Sequence, residues 1–189
     1  IGRVFFFSSA GTIAELTVLE NLALATPSRW TDMLRPMLNR PRRRKLLATL
    51  EATGQGLVEM ADRPARELSC GQRQSLALLM AVAREPRLLL LDDPTSNLDA
   101  RDAELFIRLA IELIRKYHLT VLMVTSSMQQ AIRLGDRLLL LFNGRVILDA
   151  GGLQKQRLCT NELHELLREE FRLESIDAGT ASMLEKTYI

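Results

Sequence analysis

Apolar positions along this chain change rhythm several times, and each change marks an element. From Ser69 the spacing is helical, over about Gly71 to Arg84, until Glu85-Pro86 stops it. RLLLLDD (87–93) then runs apolar without interruption, which predicts a strand buried on both faces. Helical spacing returns from Ala100 to His118. LTVLMVT (119–125) predicts a second buried strand, and MQQAIRLG (128–135) a helix closed by Gly135. DRLLLLFNGRVILD (136–149) folds on itself at Asn143-Gly144, a dipeptide suited to the positive φ angles of a tight hairpin. Strand and helix in succession predict an α/β fold with a largely parallel sheet.

The flanks are less regular. IGRVFFF (1–7) predicts a strand, SSAGT a turn-rich loop, and ELTVLENLALA (15–25) a helix. Between Thr26 and Pro41 lie three prolines and the single Trp, so that segment is expected to be irregular. The basic run RPRRRK (40–45) reads as a solvated loop or helix start, with a docking role as the alternative. It leads into a helix, KLLATLEATG, stopped by Gly54. NELHELLREEF (161–171) predicts one more amphipathic helix, and the last fifteen or so residues carry no clear signal.

Composition narrows the class without naming it. The chain has 189 residues, 47% hydrophobic and 25% charged, as an ordinary globular domain does. A net charge of +2 is too small to argue for nucleic acid or anionic lipid by itself. Cys70 and Cys159 stand far apart with no metal spacing, so neither a disulfide framework nor a zinc site is expected. No run of about 18 apolar residues occurs, so any work at a membrane is expected to proceed by docking. Because the chain opens on Ile inside a strand pattern, an N-terminal part is expected to be missing.

Two stretches carry candidate chemistry. In LSCGQRQ (68–74) a Ser, a Gly and a Gln lead into a helix, where backbone N–H groups can hold an anion. A plain N-cap Ser is the simpler reading of the same residues. In LLLLDDPTSNLD (88–99) two carboxylates follow a buried strand, at the end of an open α/β sheet where ligands bind. One carboxylate there can hold Mg²⁺ on a nucleotide's phosphates while its neighbour orients a water.

The order of these pieces resembles the ATP-binding-cassette (ABC) ATPases over roughly residues 1 to 150. LSCGQ looks like their signature motif, LLLLDD like their Walker B strand, and SNLD like their D-loop. VTSSM stands at the switch histidine, and IGRVFFFSSAGTIAELTVLENLALA resembles the Q-loop and the start of the helical subdomain. The tone is closest to bacterial importer ATPases. The resemblance implies a P-loop-type core, a mostly parallel sheet with flanking helices, plus a helical signature subdomain. It divides the chain into a partial nucleotide-binding domain at 1–150, with the helical subdomain at about 15–85, and a C-terminal helical tail at 151–189. The N-terminal strands and phosphate loop would precede residue 1.

By the same resemblance Ser69, Cys70, Gly71 and Gln72 would contact the γ-phosphate of ATP held by a partner. Asp92 would bind Mg²⁺, Asp93 and Ser126 would be catalytic, and Asp99 and Phe6 would lie at the nucleotide. The implied partners are a second ABC ATPase subunit and transmembrane permease subunits, with no nucleic acid. The implied place is cytoplasmic, peripheral on the inner face of the cell membrane.

Several of these positions depart from the family pattern. Phe6 stands where the family has a metal-sensing Gln, and a phenyl ring ligates nothing. Asp93 replaces Glu, one methylene shorter, so a water it places is about 1 Å off, a shift that can cost about 10²-fold. Ser126 replaces the switch His and cannot be a cationic donor. Cys70 replaces the first signature Gly. The expectation is weak or lost hydrolysis, with a non-catalytic partner subunit that supplies the signature in trans as the alternative. Chromosome-maintenance and DNA-repair ATPases share the motifs but carry a long heptad insertion before the signature, which this chain lacks.

Overall fold

The computed structural model describes residues 1–6, 11–27 and 39–188, with side chains to residue 174. The chain divides into two compact units, Ile1–Ser126 and Ser127–Ile189.

In the first unit three parallel strands form one sheet in the order β1 (Gly2–Val4), β2 (Leu88–Asp92), β3 (Thr120–Val124). Leu89 pairs with Gly2 on one side and Val121 on the other, and Asp92 with Val124. The leucine run therefore becomes the central strand, with Leu89 and Leu91 buried. The second strand departs from expectation. In β3, Leu122 is 57% and Val124 59% exposed, and Val121 and Met123 are half-buried. The reason is position: among the described residues β3 is a margin of the sheet with one open face, and an apolar run cannot tell a margin from a centre.

Two helices cover the sheet's unit. Helix α3 (Cys70–Val82) buries Leu76, Leu78, Leu79 and Val82, and α4 (Ala100–Tyr117) buries Phe106, Leu109, Ala110 and Leu113. His118, with φ +50°, ends α4 in the left-handed conformation. Upstream, α1 (Val18–Ala25) starts on a reciprocal cap: the Glu20 N–H donates to Thr17 Oγ1 and the Thr17 N–H to Glu20 Oε2, at 3.2 and 2.8 Å. Buried Asn21 bridges the approach to α1, accepting the Ile13 N–H and donating to the carbonyls of Ile13, Leu16 and Thr17.

The basic run is helical from its first residue. Asn39 caps α2 (Arg40–Glu51) and Pro41 sits in its first turn, where a missing N–H costs nothing. Arg43 clamps Asp62 through two donors, at 2.7 and 2.6 Å. The hydrogen bond from Arg43 holds the Asp62 carboxyl below the ordinary carboxylate range. A depressed folded-state value makes this stabilisation complete above about pH 4, the unfolded value, and removes it as the pH falls through the folded value. The pair is exposed, so its share stays within about 1 kcal/mol. In acid titrations Asp62→Asn should start slightly less stable at neutral pH and lose stability less steeply below about pH 4. An acid limb identical to that of the unmodified protein would contradict the clamp.

In the second unit β4 (Arg137–Phe142) and β5 (Arg145–Gly151) make the expected hairpin, with φ +44° at Asn143 and +77° at Gly144. Phe142 meets Phe171 edge to face, 4.7 Å between centroids. Short helices α5 (Met128–Arg133) and α6 (Gly152–Arg157) are tied by buried Lys155, whose ammonium donates to the Ile132 carbonyl at 2.5 Å. Helix α7 (Thr160–Tyr188) continues through the segment that carried no clear signal. Residues 172–188 contain no Pro and one Gly, so summed helix propensity suffices where periodicity is faint.

Candidate nucleotide site

Ser69 is the N-cap of α3 in extended conformation, and the cap is reciprocal. Its Oγ accepts the Gln72 N–H, and Gln72 Oε1 accepts the Ser69 N–H, both at 3.1 Å. Gln72 Nε2 also donates to the Gln55 carbonyl at 3.2 Å. The plain-cap reading of these residues therefore describes their local structure. Cys70 is exposed and free.

Gly71 is buried, and its bare face is turned to α4. A Cβ there would lie 2.3 Å from Asp102 Oδ2 and 2.7 Å from Asp102 Cβ. The Asp102 N–H donates to Asp99 Oδ1 at 2.7 Å, so Asp99 is the N-cap of α4. Asp102 thus packs against Gly71 while its N–H bonds the Asp99 carboxylate, and the two helix starts lie side by side.

The strand ends carry the acids. Asp92 closes β2, half-exposed, with the Arg3 guanidinium 3.9 Å away. Arg3 also lies over the Phe5 ring, 4.5 Å from its centroid. Asp93 takes φ +39°, a left-handed conformation that Asp tolerates better than most residues. Its N–H donates to the Val124 carbonyl at 2.9 Å. The Ser126 hydroxyl donates to Asp93 Oδ2 at 2.9 Å, and the Ser126 N–H to Oδ1 at 3.4 Å. Ser96 Oγ donates to the Asp93 carbonyl at 3.0 Å, which closes the turn after the strand.

The fold therefore joins Asp93 to Ser126 directly, and places Asp92 beside Asp93 at the end of the central strand. It joins Gly71 to Asp99 through Asp102. Phe6 meets this region by its backbone, its carbonyl accepting from Asn97 Nδ2 at 3.4 Å. Sequence reasoning missed Arg3, Gln74, Asn97 and Asp102. Gln74 is fully buried and donates to the Phe5 carbonyl at 3.0 Å, tying α3 to the end of β1. Its signal was a lone amide opening the apolar stripe of α3; Arg3 and Asp102 had none, because each acts through a residue distant in sequence.

A parallel sheet ending in paired carboxylates, flanked by capped helix starts, defines an α/β domain whose strand ends suit a ligand. The family model described as ABC transporter matches residues 3–96. A tyrosine transport ATP-binding protein of Clostridioides difficile is 37% identical over 165 residues, 87% of this chain and 65% of its own length. The aliphatic sulfonates import ATP-binding protein SsuB 2 of Agrobacterium fabrum is 40% identical over 144 residues, 76% of this chain and 50% of its own. The dimeric post-hydrolysis structure of the ATP-binding cassette MJ0796, bound to ADP and Pi, matches with a TM-score of 0.61 at 29% identity. That match covers 79% of this chain and 62% of the cassette. The chain belongs to the ABC transporter ATP-binding family. It spans 50–65% of the length of these three relatives.

Proposed function

We propose that this chain is the ATP-binding subunit of an importer, coupling ATP binding and hydrolysis to uptake of a solute. The observation that carries the reading is the joined pair of helix starts, signature at Ser69–Gln72 and D-loop at Asp99, held through Asp102. Such a pair suits presentation to ATP on a second cassette. Ser69, Cys70, Gly71 and Gln72 face that nucleotide, and Asp99 and Phe6 border it. Asp92 suits Mg²⁺: its carboxylate is half-exposed and loosely paired at 3.9 Å, and magnesium is held by one or two carboxylates plus phosphates. Mg²⁺ when bound neutralises phosphate charge. Asp93, oriented by Ser126, accepts a proton from the attacking water.

The partners in this reading are a second cassette and transmembrane permease subunits, with the chain peripheral on the cytoplasmic face. Among the described residues no helix is long and apolar enough to cross a membrane. A second reading, a non-catalytic subunit that supplies its signature in trans, is favoured by Phe6 and by the short Asp93. Both readings predict ATP-dependent pairing. Mixed with a cassette that bears a phosphate loop, the chain should associate in the presence of ATP and Mg²⁺, measured by analytical ultracentrifugation. Ser69→Ala should weaken that association about tenfold, the worth of one charge-assisted hydrogen bond. Association indifferent to ATP would overturn the proposal.

A further inference from the structure

Helix α2 carries its positive charge where helix electrostatics oppose it. Its first turn holds Arg40, Arg42 and Arg43 and no acid, at the end where the macrodipole repels cations. The five cations of the run divide by face. Arg42 lies toward α1, its Nη2 donating to the carbonyls of Ala23 and Thr26 at 2.8 and 3.1 Å, which caps the end of that helix. Arg43 takes Asp62. Both share the inner arc with buried Leu46 and Leu50.

Arg40, Arg44 and Lys45 lie on the opposite arc, all exposed, and no hydrogen bond or ion pair engages them among the described residues. Arg40 and Arg44 are one turn apart, a spacing at which like charges destabilise a helix. Folding therefore uses two of the five cations, and the other three oppose it. A costly, unengaged charge is accounted for by a partner outside the chain.

We infer that this face of α2 docks on the anionic headgroups of a membrane surface. The inference rests on the peripheral placement proposed above. Between the three cations lie Pro41, Ala48 and a single acid, Glu51, which leaves the arc a net positive charge and gives it no aromatic or large apolar anchor. A protein partner draws its affinity from such anchors, whereas a plane of mobile headgroups needs charge alone. Each Lys or Arg near an anionic leaflet strengthens binding about fivefold, so three together give about a hundredfold.

The test uses the whole chain without nucleotide, sedimented with phosphatidylcholine vesicles that contain either no anionic lipid or about 30% phosphatidylglycerol. Binding to the anionic vesicles only is expected, and its loss at about 1 M salt, where the screening length is about 3 Å. The charge-neutral variant R40Q/R44Q/K45Q should bind about a hundredfold more weakly while unfolding at the same or a higher temperature. As a gain-of-binding check, Ala48→Lys on the same arc should tighten binding about fivefold. Equal binding to both vesicle types, or no response to either variant, overturns the inference. So does capture by polyglutamate without capture by anionic vesicles, which would identify an acidic protein partner instead. ATP-dependent pairing with a second cassette is read separately, so a negative vesicle result leaves that reading standing.

Discussion

Gly71→Ala lowers stability by about 2 kcal/mol, opposite in sign to what helix propensity alone gives. In an exposed helix interior the change would stabilise by about 1 kcal/mol, because glycine loses more backbone freedom on folding. Here the new methyl meets Asp102 Oδ2 at 2.3 Å and Asp102 Cβ at 2.7 Å. Rotating the carboxylate away relieves the first contact and not the second, so α3 and α4 must separate. Forced repacking of this kind costs about 1–3 kcal/mol or more and outweighs the propensity gain. For a chain of this size the expected drop in the thermal midpoint is about 4–8 °C. Asp102→Gly in the Gly71→Ala background should recover about half of it, since both close atoms are then gone. A midpoint that rises on Gly71→Ala would show that the two helices do not approach so closely. Ser69 and Asp99 cap these same helices, so pairing with a second cassette should weaken alongside stability.

The second large effect concerns turnover. Asp93 and Ser126 bond each other at 2.9 Å and, in the function proposed above, take the places of a glutamate and a histidine. Changing one alone leaves a mismatched pair: Asp93→Glu pushes its carboxylate into the serine, and Ser126→His crowds a carboxylate that already sits close. Changing both restores length and a charge-assisted donor together, and the two changes should be strongly non-additive. Positioning and electrostatics are nearly the whole of catalysis in phosphoryl transfer, so the gain falls on kcat more than on nucleotide affinity. With a phosphate-loop segment fused ahead of Ile1, Asp93→Glu with Ser126→His should turn over ATP at least about tenfold faster than the unmodified fusion, some 1.4 kcal/mol of barrier. Adding Phe6→Gln should raise it further, by supplying a polar side chain at the residue whose carbonyl accepts from Asn97. Equal rates for the unmodified and doubly changed fusions would mean that the serine–aspartate pair already serves catalysis, and the weak-hydrolysis reading would fall.

Much of the fold was legible because the rules that shaped it act over short spans. The reciprocal cap of Ser69 and Gln72 needs residues three apart, and it starts α3 wherever α3 packs. Asn143-Gly144 carries its own turn geometry, and the leucine run before Asp92 declares a strand by length and apolarity, though not its place in the sheet. The resemblance to ABC ATPases lay in the same short motifs, spaced by helices of readable length.

What tertiary structure alone decided is how those pieces meet. Nothing near Gly71 in sequence shows that its bare face is filled by Asp102 from another helix. Asp93 and Ser126 look like separate departures from a motif until parallel pairing of β2 with β3 sets them side by side. Arg3 reaches Asp92 only because β1 lies against β2. The basic run is uniform in sequence, and the contacts of α2 with the end of α1 and with Asp62 split it into two structural arginines and three exposed cations. Capping, turns and periodicity are energies of neighbouring residues, so the sequence carries them directly. Close approach between elements depends on which faces burial turns toward each other, and that is settled only when the whole chain packs.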